Sequence, residues 1–219
     1  MLVSGSDDCK VNVWCTRQDA SILTIDVKAN ICCVQCNPGS RNYIAVGLAD
    51  CNIHYYDLRR INEPLYVFRG NRKEVSYIKF ISTNELASAS IDSALRLLDV
   101  KENCHVRTFK GHTNKHNFVS LTVNGEYIAC RSETNEVFVY HKAISKAAAC
   151  YNFDGLDLDN SDHKASHFIS VITWKSRNPT MSAANDQKRH EKSQKTFRKC
   201  ISGQRHLSHI PCGGELFDI

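Results

Sequence analysis

The feature that most constrains this chain is an eleven-residue pattern that recurs at intervals of 42 residues. Its four copies share an apolar or aromatic last residue: Trp14, Tyr56, Leu98 and Tyr140. Three copies carry an aspartate at one place, Asp8, Asp50 and Asp92, and Thr134 stands there in the fourth. Chance does not give three identical steps, so the chain is built from repeated structural units.

Each unit contains several short strands. A small-residue strand end is followed by a turn that carries the aspartate and by a strand rich in β-branched and aromatic residues. Further strands are predicted upstream, over 75–81 and 85–90 in one unit and over 118–123 and 127–130 in the next. About four strands per repeat are typical of a β-propeller blade. We therefore predict an all-β fold in which the aspartate caps the turn between the second and third strands.

Composition excludes several other classes of protein. The chain has 219 residues, of which 42% are hydrophobic and 23% charged, which excludes collagen, coiled coils and wholesale disorder. No apolar run approaches the roughly 18 residues of a membrane span, and Met1 opens no signal peptide. The eleven cysteines are odd in number, and most lie in apolar runs. We expect reduced, buried thiols and a nuclear or cytoplasmic location.

The repeats resemble those of WD-repeat proteins. Gly111-His112 precedes a strand pair, and the Trp-Asp position survives in part as Tyr56-Asp57 and Leu98-Asp99. Whole strands, among them KANICCVQCNP, YIAVGLAD, VSYIKF and ACRSETNEVFVYHK, resemble the C-terminal propeller of the plant-type constitutive photomorphogenesis E3 ubiquitin ligase family. The resemblance covers roughly residues 2–185. It implies a propeller that recognises the substrates of a ubiquitin ligase.

The family would have about seven blades, a coiled coil and a RING finger. This chain shows the end of one blade, three complete blades and the start of a fifth. We therefore predict an incomplete propeller of about four blades over residues 1–185, with exposed blade edges. After Asn185 the resemblance stops, and residues 186–219 carry seven basic and four acidic side chains. We predict that this segment is a disordered basic tail unrelated to the family.

The resemblance also implies a binding site. In the family, one face of the propeller grips a short partner peptide built around a Val-Pro pair. Lys73 stands at a position that contributes a peptide-contacting lysine, and Phe118 stands where the family has an apolar wall. The 42-residue spacing places Lys115 at the same structural position as Lys73 in the next blade, with the two ammonium groups side by side. These lysines are equally compatible with two solvated surface residues, and Phe118 with an ordinary core residue.

Some substitutions depart from the family pattern. Lys115 replaces a glutamate, Leu98 replaces a tryptophan, Asn71 replaces a histidine and Arg131 replaces a glycine. The charge reversal at Lys115 changes which partner side chains are favoured. The other three indicate relaxed constraint, because loss of a buried tryptophan or an ordered turn costs about 1–5 kcal/mol.

Metal, cofactor and catalytic sites find little support. Cys33 and Cys36 have ligand spacing, but the second ligand pair of a structural zinc site is absent and core thiols are favoured. The acidic stretch 154–162 lacks the glycine and glutamate of a calcium loop. A tail set matches no zinc pattern: Cys200, His206, His209 and Cys212. No phosphate loop, nucleophile elbow or zinc-protease motif is found. We expect no cofactor and no metal.

These observations favour a protein-interaction module that binds Val-Pro motifs of transcription regulators or photoreceptors, with or without other ligase subunits. Ubiquitin transfer itself would need a RING finger, so the chain alone is not expected to be an enzyme. A non-functional gene copy and a competitor of the full-length ligase remain alternatives. Nucleic-acid binding through the basic tail is disfavoured, because Phe197 is the only aromatic residue among its basic side chains.

Overall fold

The repeat predicted from the sequence is present as a series of small antiparallel sheets. The computed structural model describes residues 1–117, 120–152, 169–174, 181–185 and 194–197. Every regular element in these ranges is a β-strand, and the strands form five sheets in which chain neighbours pair. We call the sheets blades 1 to 5. The predicted all-β fold of blade-like antiparallel sheets is confirmed for the described residues.

Three blades have four strands and two have three. Blade 1 contains β1 (Leu2–Gly5), β2 (Lys10–Trp14) and β3 (Ser21–Asp26). Blade 2 contains β4 (Ile31–Cys36), β5 (Tyr43–Leu48), β6 (Ile53–Asp57) and β7 (Tyr66–Phe68). Blade 3 contains β8 (Val75–Phe80), β9 (Glu85–Ser90), β10 (Ala94–Asp99) and β11 (Cys104–Phe109). Blade 4 contains β12 (Leu121–Asn124), β13 (Tyr127–Arg131), β14 (Glu136–His141) and β15 (Ala147–Asn152). Blade 5 contains β16 (Ile169–Trp174), β17 (Met181–Asn185) and β18 (Gln194–Phe197).

The central hairpin has one register in four blades. The last residue of each repeat pairs with the residue twelve positions before it: Leu2 with Trp14, Ile44 with Tyr56, Leu86 with Leu98 and Ile128 with Tyr140. Each hairpin turns through one residue in the left-handed region: Cys9 (φ 64°), Cys51 (φ 72°), Ser93 (φ 61°) and Asn135 (φ 57°). These residues are 42 positions apart, so the sequence period is a period of backbone conformation.

The recurring aspartates cap these turns. Each carboxylate accepts a hydrogen bond from the N–H two residues on: Asp8 from Lys10 (3.1 Å), Asp50 from Asn52 (3.0 Å) and Asp92 from Ala94 (3.1 Å). This local bond stabilises the tight backbone that the hairpin requires. Thr134 has no carboxylate, and its hydroxyl lies against Glu136 instead (2.5 Å).

The hydrophobic core lies between consecutive blades. One cluster joins blades 1 and 2 and includes Val11, Ile31 and Tyr56. A second joins blades 2 and 3 and contains Leu98, and a third joins blades 3 and 4 and contains Tyr140. The last residue of each of these repeats thus packs toward the preceding blade. None of the described residues belongs to a helix long and apolar enough to cross a membrane.

One strand lies in the segment predicted to be a disordered tail. β18 pairs antiparallel with β17, so that Phe197 lies opposite Met181. The structure thus places one strand at Gln194–Phe197, and the prediction that the segment is otherwise a disordered tail stays a prediction. Ladder pairing uses backbone groups, so a strand added at the edge of β17 needs no apolar alternation that sequence reading could detect. The rest of residues 186–219 lies outside the described residues, including the Cys/His set of the tail.

Candidate functional site

One face of the blades carries the segments that lead into the first strand of each blade. On this face, the turn between the second and third strands contacts the incoming segment through one backbone hydrogen bond. The contact recurs in three blades: Ala49 N–H to Asn30 C=O (3.0 Å), Ile91 N–H to Glu74 C=O (3.2 Å) and Glu133 N–H to Thr113 C=O (2.8 Å). We call this surface the loop face. The turns at the other ends of the same strands form the opposite face.

Lys73 lies on the loop face of blade 3. Its side chain is exposed, while its carbonyl accepts a hydrogen bond from the Ser90 hydroxyl (3.0 Å). The preceding residue, Arg72, donates its backbone N–H to Asp92 (3.0 Å). Backbone contacts therefore hold the segment while the Lys73 side chain stays exposed.

Asp92 belongs to a buried polar network that the sequence analysis missed. Arg96 pairs with the Asp92 carboxylate (2.5 Å) and donates a second hydrogen bond to the Asn71 side chain (2.8 Å). Asn71 in turn donates to the Cys51 carbonyl in blade 2 (3.1 Å). Burial raises the pKa of Asp92, but hydrogen bonds from Arg96 and from the Arg72 backbone outweigh it, so that the pKa is lowered.

Two of the substituted positions make well-defined contacts in blade 3. Asn71 links blades 2 and 3 by hydrogen bonds, and Leu98 is 2% exposed within their shared core. A polar network and an aliphatic core residue therefore stand where the resemblance implies a histidine and a tryptophan, and relaxed constraint at these positions stays a prediction. Arg131, the third substitution, is buried in blade 4.

Lys115 lies on the loop face of blade 4, in a segment held by a different carboxylate. One oxygen of Glu133 accepts the backbone N–H of His116 (2.8 Å), the backbone N–H of Asn117 (2.7 Å) and the Asn117 side-chain amide (3.1 Å). Burial raises the pKa of Glu133, but hydrogen bonds from the His116, Lys115 and Asn117 backbone outweigh it and lower the pKa. The Lys115 side chain is exposed.

The hydrogen bonds show that the 42-residue spacing does not carry through this segment. In blade 3 the hairpin turn contacts Lys73 and Glu74, whereas in blade 4 both corresponding contacts go to Thr113. The first strand is also offset. Ile78 pairs with Ser88 in blade 3, and the matching pair in blade 4 is Leu121 with Cys130, which adds one residue to the spacing. Thr113 therefore takes the hydrogen-bonding place of Lys73–Glu74, and the adjacency of the two ammonium groups stays a prediction.

The aromatic repeat positions have polar partners. The Tyr140 hydroxyl lies 3.1 Å from Nδ1 of His112, and Trp14 donates its indole N–H to the Ser4 hydroxyl (2.8 Å). Tyr56 is buried and its hydroxyl lies 3.4 Å from Nδ1 of His54. Burial lowers the pKa of His112 to about 4, so its imidazole is neutral at pH 7. These contacts join side chains within or next to the blades and are structural.

Phe118, the third residue of the predicted peptide site, lies outside the described residues. The structure does add Glu133 and Arg96, which sequence reasoning did not select. The available signal was the position of an ionisable residue relative to the recurring turn position: Glu133 stands directly before Thr134, and Arg96 stands four residues after Asp92. Such a signal is weak, because charged residues are common in turns.

The burial of the described cysteines differs from the prediction of buried thiols: Cys130 is buried, Cys104 and Cys150 are exposed, and the other six are half-buried. All nine cysteines of the described residues are free. Cys33 packs between blades 2 and 3, where its thiol lies 3.7 Å from the Val75 carbonyl and burial raises its pKa. Cys33 and Cys36, the pair with metal-ligand spacing, are both among these free cysteines. Among the described side chains, no group of three or more His, Cys, Asp or Glu residues is arranged to hold a metal ion.

Comparison with known proteins identifies similar chains. No protein-family model matches. The chain is 65% identical over 188 residues to E3 ubiquitin-protein ligase COP1 of Arabidopsis thaliana, a match that covers 85% of the chain and 28% of that relative. Two further relatives from Arabidopsis thaliana are similar. The chain is 44% identical to Protein SPA1-RELATED 3, a match that covers 84% of the chain and 23% of the relative. It is 33% identical to WD repeat-containing protein RUP2, a match that covers 78% of the chain and 48% of the relative. The chain thus spans less than half the length of these curated relatives.

Proposed function

We propose that this chain, a COP1-type WD-repeat segment, is a protein-interaction module whose loop face binds a short acidic peptide built around a Val-Pro pair. The peptide would belong to a transcription regulator or a photoreceptor. The module would act in a light-regulated ubiquitination pathway in the nucleus or cytoplasm. It would recognise substrates rather than transfer ubiquitin.

The observation that carries this proposal is the arrangement of cationic side chains on the loop face. Arg72 and Lys73 in blade 3 and Lys115 in blade 4 are exposed, while the backbone beneath them is held by buried or half-buried carboxylates. A rigid backbone lowers the entropic cost of ordering the site when a ligand binds. Positive side chains favour an acidic segment by charge complementarity. The similarity to a named ubiquitin ligase supports the place of this module in that pathway.

The first experiment measures binding of a fluorescent acidic Val-Pro peptide to the full chain by anisotropy. Replacement of Lys73 by alanine is expected to raise Kd about 5-fold, which corresponds to about 1 kcal/mol. Lys101→Ala is the matched control, because Lys101 is an exposed lysine that follows β10 on the opposite face. Equal effects of the two substitutions would contradict binding at the loop face.

The same preparation tests the alternative that the chain is a non-functional gene copy. A cooperative thermal transition that shifts upward with the peptide would support a working module. Aggregation or a non-cooperative melt that the peptide does not change would favour a non-functional copy. If the chain binds the peptide, it would also compete with a full-length ligase for that motif, since both would use one surface.

A further inference from the structure

The segments that lead into blades 3 and 4 are held by carboxylates at different positions. In blade 3, Asp92 both caps its own hairpin turn and accepts the backbone N–H of Arg72. The corresponding residue of blade 4, Thr134, has no carboxylate. Glu133, one residue earlier, holds the incoming segment of that blade. The holding carboxylate of blade 4 therefore lies one position earlier in the turn, and it holds residues that follow the turn contact at Thr113, whereas Asp92 holds the residue that precedes the contacts at Lys73 and Glu74.

Glu133 holds its segment at both ends. Its backbone N–H donates to the Thr113 carbonyl (2.8 Å), and its carboxylate accepts the backbone N–H groups of His116 and Asn117. Hydrogen bonds from neutral donors to an ionised acceptor are about twice as strong as neutral pairs. The residues that correspond to Glu133 in blades 2 and 3 are Ala49 and Ile91, whose side chains cannot accept a hydrogen bond.

We propose that Glu133 is a positioning residue for peptide recognition: it holds residues 113–117 so that the Lys115 ammonium is presented to an acidic ligand. The inference rests on the proposed function. It assigns to this loop a specificity determinant that carries the same charge sign as the ligand. In this proposal Glu133 does not contact the peptide and acts through the backbone of Lys115, His116 and Asn117.

The negative charge of Glu133 distinguishes a positioning role from a purely electrostatic effect on peptide binding. Glu133 is an anion close to a site for an acidic peptide, so its removal should strengthen binding if only long-range electrostatics matter. If Glu133 positions the loop, its removal should weaken binding, because Lys115 must then be ordered at the moment of association. The two accounts predict opposite changes in Kd for one substitution.

The test compares Glu133→Gln with Glu126→Gln in the full chain. Both substitutions remove one negative charge, and Glu126 lies in the turn between β12 and β13 on the opposite face, where it pairs with Lys142 (2.9 Å). The probe is the acidic Val-Pro peptide, measured by anisotropy. Hydrogen–deuterium exchange of residues 113–117 gives an independent measure of loop order.

With Glu133→Gln we expect Kd to rise about 3- to 5-fold and exchange at His116 and Asn117 to accelerate, because the amide oxygen is a weaker acceptor. Glu126→Gln should leave both quantities unchanged. Glu133→Asp keeps the charge but shortens the side chain by one methylene, so it should also weaken binding. That second variant supports positioning without any change of net charge.

An unchanged or lower Kd for Glu133→Gln, in a parent chain that binds the peptide, would overturn the positioning role and leave the proposed function standing. A parent chain that does not bind the peptide would instead refute the proposed function, and the positioning role with it. Faster exchange without weaker binding would reduce Glu133 to a purely structural residue. Each result thus names which of the two statements fails.

Discussion

Replacing Arg96 by methionine would remove the only cation paired with a buried carboxylate among the described residues of blade 3. The Asp92 side chain is 6% exposed and that of Arg96 is 10% exposed, so neither charge is well solvated. Breaking a buried ion pair by removing one partner costs about 3–5 kcal/mol. Asp92 keeps the N–H groups of Arg72 and Ala94 as donors, which places the expected loss near the lower end, about 3 kcal/mol.

The assay is a thermal melt followed by circular dichroism. For a chain of this size, about 3 kcal/mol corresponds to a decrease in Tm of about 6–12 °C. Arg59→Met is the control, because Arg59 pairs with Asp57 at 2.7 Å but its side chain is 61% exposed. An exposed pair contributes little to folding, so this variant should melt close to the parent.

The pH dependence gives a second test of the same reasoning. In the parent, the pKa of Asp92 is lowered, so its stabilising contribution is present above the ordinary carboxylate range and is lost as the pH falls. Without Arg96, burial remains and raises that pKa, so the carboxyl takes up a proton more readily in the folded state. The gap in Tm between parent and Arg96→Met should therefore shrink on going from pH 7 to about pH 4. A constant gap, or one no larger than that of Arg59→Met, would refute the argument.

Two further predictions concern other parts of the fold. Gly47→Ala would place a Cβ 2.5 Å from the Cys33 thiol and 2.8 Å from Val75 across the blade interface. We therefore expect the free energy of unfolding, measured by denaturant titration, to fall by about 1–3 kcal/mol. Gly125→Ala is the control, because nothing lies within 4 Å of the added Cβ and the substitution tests only the positive φ of 55°. Burial lowers the pKa of His112 to about 4, so the unfolded chain binds a proton at higher pH than the folded chain does. The Tm should therefore fall as the pH drops from about 6.5 to about 4. His112→Gln should flatten this part of the Tm profile, and a profile identical to that of the parent would contradict the prediction.

Sequence reasoning predicts the central hairpins well and the loops between blades less well. The hairpins depend on local rules, because an aspartate cap and a left-handed residue recur with the strand pattern. The equivalence of Lys73 and Lys115 fails because the segment from the turn contact to the first strand is longer in blade 4, Thr113 to Leu121, than in blade 3, Glu74 to Ile78. A count of residues cannot show where the additional residues lie. The contact between Arg96 and Asn71 joins residues 25 apart, and no local pattern indicates it.

The tail shows a related limit. A strand in Gln194–Phe197 is set by the pairing edge that β17 offers rather than by its own alternation of side chains. The peptide-binding role of Lys73, Lys115 and Phe118 stays a prediction, because a surface residue acquires its function from the ligand, which the sequence of the receptor does not contain.

Because the hydrophobic clusters lie between blades rather than within them, the folding of this chain should follow nearest-neighbour cooperativity. A blade has little core of its own and is stable only while its neighbours are folded. Blades 2 and 3 contribute to two clusters each, so a cavity in either of them is felt across three successive sheets. Unfolding should accordingly spread as a moving boundary between ordered and unordered blades.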